Sequence, residues 1–199
     1  MQNNSTQNKQ SRLAVILESA AMLIIVAVSM ILKIMPALNT VIKDGWINFQ
    51  GVDSWYHLRL IENMLQHFPE RITFDPYTYF PHGLDVFFAP FHDYMLGFIT
   101  WVVTLGSNNF DVIQNVLIFI PPVLGSMVAV PVYFIGRAVF DRKTALVSAL
   151  LVVIFPGQLF NMSKLGFLDH HVSEVLFSTF SVLFLVLSLI HISEPTRPY

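Results

Sequence analysis

Four apolar segments most constrain the fold of this chain, because each is about as long as a bilayer is thick. They cover residues 13–35, 112–136, 144–160 and 174–190, and a membrane-spanning helix needs roughly 20 apolar residues. Only 12% of all residues are charged, against roughly 25% in an ordinary soluble domain. The sequence therefore predicts an all-α, polytopic membrane protein with about four transmembrane helices.

The first segment contains charged residues and the second contains prolines, and both are unusual in an apolar helix. Glu18 lies near the start of the first segment and Lys33 near its end. Long charged side chains in such positions can extend their heads into the polar interface. The second segment contains Pro121, Pro122 and Pro131. Since proline removes a backbone donor, these positions predict kinks in that helix.

Composition also excludes several classes of function. The net charge is −2, and the chain contains no cysteine. No basic surface is therefore available for nucleic acid, so we expect no nucleic-acid partner. Disulfides, thiolate catalysis and cysteine zinc sites are excluded as well. The sequence has neither a G-x-G-x-x-G nor a Walker-type pattern. Membrane lipids are the partners that the apolar helices imply.

Basic residues predict the orientation of the segments. Two of them lie in residues 1–12, and three lie in the loop 137–143. Because basic loops stay on the cytoplasmic side, both regions are predicted to be cytoplasmic. The long loop 36–111 and the short loop 161–173 are then external. The apolar stretch 87–105 is predicted to lie on or dip into the outer face, since a crossing would move 137–143 outside.

The first polar cluster is "GVDSWYHLRL" (51–60), in the long external loop. Asp53 could cap a helix by accepting backbone N–H bonds. Apolar residues recur after it with helical spacing, and His57 lies four residues on, on the same helix face. A carboxylate at a helix start near the bilayer can equally be a metal ligand. A capped interfacial helix and a metal site both remain open here.

The second polar cluster is "LDHHVSE" (168–174), in the short external loop. Asp169 and His171 are two residues apart, so they share a face only on extended backbone. A metal bound to both requires non-helical backbone, which a loop ending at a helix start supplies. A carboxylate with an imidazole suits Mn²⁺, Mg²⁺ or Zn²⁺, and oxygen partners favour the first two. Asp169 could alternatively cap the helix that follows.

These motifs, in this order, resemble the N-terminal part of the STT3/AglB oligosaccharyltransferases. The resemblance rests on "GVDSWYHLRLIENML", "DPYTYFPHG" and "GFLDHHVSE", and it covers roughly residues 13–190. The archaeal branch is nearest, because its second acidic motif commonly reads Asp-x-His. The resemblance implies a truncated GT-C-type membrane architecture. It also implies transfer of a lipid-linked oligosaccharide to the asparagine amide of an Asn-x-Ser/Thr sequon.

The resemblance further implies which residues act. Asp53 occupies the position of the first catalytic acid, and Asp169 that of the second. Together with His171 they would hold a divalent cation, Mn²⁺ or Mg²⁺. His170 is placed to approach the phosphate of the donor. The implied partners are a polyprenyl (dolichol)-linked oligosaccharide donor and an acceptor polypeptide, at the external face of the plasma membrane.

The chain also departs from the family. Members continue with more spans, an external loop with an S-x-x-E-type glutamate and a soluble domain with a W-W-D-Y-G-type motif, none of which occurs here. The apolar pattern changes abruptly at residues 191–199, which we interpret as a non-native tail. We therefore expect a fragment that is inactive on its own.

Two other functions compete with this interpretation. A different polyprenyl-phosphate-sugar-dependent GT-C glycosyltransferase would also use acids in the first external loop, but it needs no Asp-x-His pair in the second. A membrane metal-binding or transport protein would carry ionisable residues at the middle of its spans. The spans predicted here have almost none at their centres, which disfavours transport.

Overall fold

A computed structural model describes residues 2–193 of the chain, with side chains described for residues 12–192. The chain begins with one long helix, α1 (Gln2–Ile34). Its part Arg12–Ile34 is long and apolar enough to cross a membrane. Most side chains of this part are exposed in the isolated chain, as expected for a helix with a wide lipid-facing surface.

The region between the first two candidate spans is built from short elements. In chain order they are α2 (Leu38–Val41), the hairpin β1 (Ile42–Lys43) and β2 (Trp46–Ile47), α3 (Val52–Gln66), the hairpin β3 (Phe74–Asp75) and β4 (Leu84–Asp85), and α4 (Pro90–Val103). Both hairpins are antiparallel, with Ile42 opposite Ile47 and Phe74 opposite Asp85. The stretch 87–105, expected to dip without crossing, contains the 14-residue helix α4.

The second candidate span is a series of three short helices. They are α5 (Phe110–Leu117), α6 (Ile120–Met127) and α7 (Ala129–Val139), and together they run over Phe110–Val139. Pro121 lies in the first turn of α6, immediately after the first break. Proline is tolerated there because the amide of a first-turn residue has no helical partner. The proline-rich sequence thus interrupts the helix as predicted.

The third predicted segment, 144–160, is divided in two. Helix α8 (Arg142–Ile154) has 13 residues, and α9 (Gln158–Met162) follows after Pro156 and Gly157. At 1.5 Å per residue, α8 is about 20 Å long, shorter than the hydrocarbon core. Helix α10 (His171–Ser193) is the last element. Among residues 2–193, three helical stretches are long and apolar enough to span a membrane, against about four predicted: Arg12–Ile34, Phe110–Val139 and His171–Ile192.

Buried side chains form two clusters. The larger one joins the short elements to the second span and includes Leu58, Ile61, Leu96, Ile113, Leu117 and Leu165. The smaller one lies among α1, α7 and α8 and includes Ile25, Ala129, Ala145 and Val153.

The predicted non-native tail, 191–199, begins inside α10, and residues 194–199 lie outside the described part of the chain.

Glu18 and Lys33, the charged residues of the first predicted segment, are paired with protein groups. Lys33 is fully buried, and its Nζ donates to Ser29 Oγ at 2.9 Å. Ser29 in turn lies 2.8 Å from Ser126 Oγ of α6. Glu18 Oε1 lies 2.9 Å from Arg142 Nε. Lys33 therefore does not extend into the interface, because it is buried beside Ser29 of its own helix.

Candidate functional site

The loop between α9 and α10 is tied to two distant segments by main-chain hydrogen bonds at Gly166. Its N–H donates to Ile118 O at 3.0 Å, and its carbonyl accepts from Gln50 N–H at 2.8 Å. Gly166 has φ +74°, and a Cβ added there would lie 3.0 Å from Val41 Cγ1. The position therefore requires glycine. This loop leads to Asp169, and Gln50 leads to Asp53, so the two acidic motifs become neighbours.

Asp53 is exposed in the first turn of α3, one residue inside the helix. Gly51 occupies the cap position with φ 82°, and no side chain accepts a capping hydrogen bond. The expectation that Asp53 caps the helix is therefore wrong. The carboxylate lies near the positive end of the helix dipole instead, where it faces solvent.

Asp169 is 4% exposed and lies two residues before the start of α10 at His171. Its Oδ1 accepts the backbone N–H of His171 at 3.4 Å and lies 2.9 Å from His170 Nδ1. The backbone at Asp169 is non-helical, as a shared ligand role for Asp169 and His171 requires. The carboxylate also satisfies one of the free amides at the helix start, as the capping alternative predicts.

His171 lies among three carboxylates. Its Nδ1 is 2.9 Å from Glu174 Oε2, and the charges of Asp53 and Asp169 also act on the imidazole. Asp53 and Asp169, the two acids predicted to hold the cation, are thus each in electrostatic range of His171. Glu174 is an additional acid that the sequence argument did not assign.

His57 connects the site to a buried ion pair. Its Nδ1 lies 2.7 Å from Asp93 Oδ1, and Asp93 Oδ2 lies 2.7 Å from Arg71 Nη2. The other ring nitrogen, Nε2, is 3.2 Å from His170 Nδ1. Sequence reasoning missed Arg71 and Asp93 as site residues. The available signal was Asp93 itself, an acid inside the apolar stretch 87–105, where an ionisable residue indicates a partner.

His92 is a second imidazole buried in this region. It is 5% exposed, and its Nδ1 lies 2.9 Å from Ser173 Oγ. Burial, together with the nearby imidazole of His57, lowers the pKa of His92 to about 3. The ring is therefore neutral near pH 7, so it can donate one hydrogen bond and accept another.

A groove of about 680 Å³ opens beside these groups. Its polar part is formed by His57, His92, His170, Ser173 and Glu174. Its apolar part is formed by Phe87, Phe88, Phe91, Ala89 and Phe177. A volume of this size with aromatic walls and few polar groups is typical of a binding site for an amphiphilic small molecule.

The donor atoms of the site fit a divalent cation. Ligand atoms of His57, Asp169 and His170 lie within 4.8 Å of one another, and so do those of His170, His171 and Glu174. Asp53 belongs to neither group. Imidazole with carboxylate suits Mn²⁺ or Zn²⁺, whereas Mg²⁺ prefers oxygen ligands. The residues present therefore fit Mn²⁺ better than Mg²⁺.

Comparison with known proteins decides the family. Residues 21–195 match the family model described as "Oligosaccharyl transferase STT3, N-terminal". The chain belongs to this family. The resemblance drawn from the order of the sequence motifs is thereby confirmed, and the match covers most of the chain. With its apolar helices, this membership identifies an integral membrane protein.

Archaeal relatives are similar over most of the chain. Dolichyl-phosphooligosaccharide-protein glycotransferase 3 of Archaeoglobus fulgidus is 38% identical over 169 residues, which cover 84% of this chain and 19% of that protein. A crystal structure of an A. fulgidus oligosaccharyltransferase tethered to an acceptor peptide with an NVT sequon superposes with a TM-score of 0.82. It is 33% identical, over 90% of this chain and 21% of that one.

A second solved structure points the same way. It is archaeal oligosaccharyltransferase AglB from A. fulgidus in complex with an inhibitory peptide and a dolichol-phosphate. The TM-score is 0.78 at 35% identity, over 85% of this chain and 19% of that one. The chain thus spans about a fifth of the length of these relatives.

Proposed function

We propose that this STT3-family chain forms the N-terminal part of the active site of an archaeal-type oligosaccharyltransferase. That enzyme transfers a lipid-linked oligosaccharide to the side-chain amide of asparagine in Asn-x-Ser/Thr. One observation carries the proposal: the hydrogen bonds of Gly166 bring the segment before Asp53 beside the segment before Asp169. Two acids far apart in the sequence are thereby available to one reaction centre.

Asp53, Asp169 and His171 are the proposed cation ligands, with Mn²⁺ favoured over Mg²⁺. The ion, when bound, supplies Lewis-acid stabilisation of the charge that develops on the departing phosphate. Asp169 is fixed for this role because it is buried and accepts the His171 N–H. The charges that act on His171 support its place beside the two acids.

Asp53 is the proposed contact to the acceptor. An amide nitrogen is a weak nucleophile, because its lone pair is conjugated with the carbonyl group. A carboxylate that accepts the amide N–H bonds holds this nitrogen in position and favours loss of its proton in the transition state. A bond then forms between nitrogen and the sugar carbon, and the bond from that carbon to the phosphate oxygen breaks. The exposure of Asp53 leaves room for a polypeptide.

His170 is the proposed contact to the donor phosphate. Its side chain is 24% exposed beside Asp169, and it lines the groove together with the aromatic residues. An imidazole at the polar end can donate a hydrogen bond to a phosphate oxygen. The phenylalanines suit the first units of a polyprenyl chain. Two relatives support the choice of partners, since one holds a dolichol-phosphate and the other an acceptor peptide.

The proposed orientation places this site outside the plasma membrane. Glu18 near the start of the first span pairs with Arg142, and Arg137 Nε lies 3.7 Å from the same carboxylate. These contacts put residues 137–143 at the same level as the beginning of the span, which the basic residues favour for the cytoplasmic side. We propose that 144–160 completes a fourth crossing, with 36–111 and 161–173 external.

A chimaera tests the proposed reaction. Residues 13–190 would replace the matching part of the A. fulgidus relative, and transfer of oligosaccharide to an NVT peptide would be measured. The rate of transfer by Asp53→Asn and by Asp169→Asn is expected to fall at least about 100-fold. Each variant removes a carboxylate that acts in the transition state, and loss of one such stabilising group typically has an effect of this size. Asp85→Asn, at an exposed position on β4, is the control. Full transfer by both site variants would contradict the proposal.

A further inference from the structure

A groove between α1 and α7 lies far from the two acidic motifs. It has a volume of about 520 Å³, and Glu18 lines it near the start of the first span. Near the other end of α1, the carbonyl oxygen of Lys33 accepts the N–H of Leu165, in the loop before Asp169. At 1.5 Å per residue, Glu18 and Lys33 are about 22 Å apart along the helix. The groove is therefore separate from the proposed reaction centre.

The walls of this groove are apolar and face outward from the chain. Leu23 of α1 and Phe134 of α7 are both exposed. Further apolar lining residues are Val15, Met22, Val26 and Val130. Because both helices belong to candidate membrane spans, these walls meet the hydrocarbon core of the bilayer. They offer a surface on which a lipid tail can pack.

The polar end of the groove combines one carboxylate with two guanidinium groups. Glu18 Oε1 lies 2.9 Å from Arg142 Nε, and Glu18 Oε2 lies 3.7 Å from Arg137 Nε. The Tyr133 hydroxyl also donates to Glu18 Oε2, at 2.5 Å. Protein groups thus hold the carboxylate, and two guanidinium groups share it. The cluster therefore carries an excess of positive charge, on side chains that are 37% and 47% exposed.

The charges around this end are also mainly positive. Arg12 and Lys143 are exposed beside the cluster, in the residues that precede Glu18 and follow Arg142. The Asp141 carboxylate accepts the backbone N–H groups at the start of α8, from Lys143 and Thr144. Among the described residues of this end, four basic side chains therefore meet two carboxylates, both already hydrogen-bonded. This balance favours an anionic ligand.

We propose that the groove binds a membrane phospholipid with an anionic headgroup. The phosphate lies at Arg137 and Arg142, because a planar guanidinium group can donate two parallel hydrogen bonds to phosphate oxygens. One tail follows α1 from Glu18 to Val26, a distance of about 12 Å. Basic pockets between membrane helices on the cytoplasmic side bind anionic headgroups in this way. The site goes beyond the proposed glycan transfer and does not depend on it.

A helix from the rest of a longer protein is the competing occupant, since the chain spans about a fifth of the length of its relatives. The charge excess favours a lipid. An apolar helix over the groove would remove guanidinium groups from water without supplying an acceptor, which is costly. An anionic headgroup supplies that acceptor and keeps the tail within the bilayer.

Fluorescence quenching by brominated lipids tests the proposal. The chain contains no cysteine, so Ser19→Cys, at an exposed position in the groove, accepts a single bimane label. The full chain is placed in phosphatidylcholine vesicles, and this lipid is replaced stepwise by brominated phosphatidylglycerol or by brominated phosphatidylcholine. We expect the groove to prefer the anionic phosphatidylglycerol by at least about fivefold.

Charge variants identify the groups that produce this preference. Arg137→Gln and Arg142→Gln should each reduce it by about fivefold, the effect of one cation near an anionic headgroup. Glu18→Gln removes a negative charge and should leave the preference at least as large. Lys43→Gln is the matched control, because it removes an exposed positive charge from β1. A retained melting transition shows that each variant is folded.

Equal quenching by the two brominated lipids would overturn the proposal, because the groove would then be an ordinary lipid-facing surface. A preference that survives both arginine variants would also overturn it. Weak quenching by either lipid would show that a helix of a second copy covers the groove instead. Since the label reports lipid contact and the chimaera reports glycan transfer, either proposal can fail without the other.

Discussion

The carbonyl oxygen of Gly166 accepts a 2.8 Å hydrogen bond from the N–H of Gln50. This bond links the segment that leads into Asp53 to the loop that leads into Asp169. It involves only main-chain groups, so it depends on the backbone conformation at Gly166 and not on the identity of a side chain. The glycine is therefore a structural requirement for the site.

Replacing Gly166 with alanine should destabilise the chain. A non-glycine residue at φ +74° is strained, and the new Cβ would lie 3.0 Å from Val41 Cγ1. We expect a loss of about 1–3 kcal/mol in the free energy of unfolding, measured by denaturant titration in detergent. Gly157→Ala is the matched control, because its Cβ would meet only Phe155 Cδ1 at 3.6 Å. Equal stability losses in the two variants would contradict the assignment.

Replacing Asp93 with asparagine should be more damaging. Asp93 is fully buried between Arg71 and His57, and the Arg71 side chain is only 7% exposed. Removing one member of a buried pair leaves an uncompensated charge, which typically costs about 3–5 kcal/mol. Thermal unfolding would show the effect, with the exposed Asp85→Asn as control. An unchanged melting temperature for Asp93→Asn would show that Arg71 finds another partner.

Asp75 should make stability depend on pH in the acid range. Burial alone would raise the pKa of its carboxyl group, but hydrogen bonds from the Tyr77 N–H, Thr78 and Arg59 outweigh this and hold the pKa below its ordinary value. A group with a lowered folded-state pKa stabilises the fold above its unfolded pKa, about 3.9. That stability is lost as the pH falls through the folded-state pKa.

Melting temperatures of wild type and Asp75→Asn between pH 2 and 7 test this dependence. The variant should be less stable at neutral pH, and the difference should shrink as the pH falls, because the wild-type carboxylate becomes protonated. Parallel curves at all pH values would mean that the charge of Asp75 contributes nothing. Arg59 and Thr78 remain in both proteins, so the comparison isolates the carboxylate.

Parts of the fold with a strong local pattern were predictable from sequence. The first apolar segment forms the spanning part of α1, and the proline-rich segment 112–136 forms a broken helix. Non-helical backbone at Asp169 followed from the two-residue spacing to His171. The third segment differs because Pro156 and Gly157 end α8 early, which leaves a 13-residue helix.

The site was predictable only where a motif is local. His57, Arg71 and Asp93 come from three separate segments. The packing of α3 against α4 brings His57 to Asp93, and Arg71 reaches Asp93 from the loop that follows α3. Single-sequence patterns carry no information about such a meeting. A helix cap was one of two alternatives left open for Asp53, and the start of α3 at Val52 places it one residue inside. A difference of one residue is within the ordinary uncertainty of helix boundaries, yet it turns a capping carboxylate into an exposed one.

Manganese binding tests most directly whether the two acidic motifs form one cation site. Electron paramagnetic resonance would measure the affinity of the full chain for Mn²⁺, with Asp85→Asn as control. We expect Asp53→Asn and Asp169→Asn each to weaken Mn²⁺ binding by at least about tenfold. The loss of binding free energy in the double variant should be smaller than the sum of the two single losses, because both residues serve the same ion. Wild-type Mn²⁺ affinity in Asp53→Asn would contradict the account, because Asp53 would then lie outside the site.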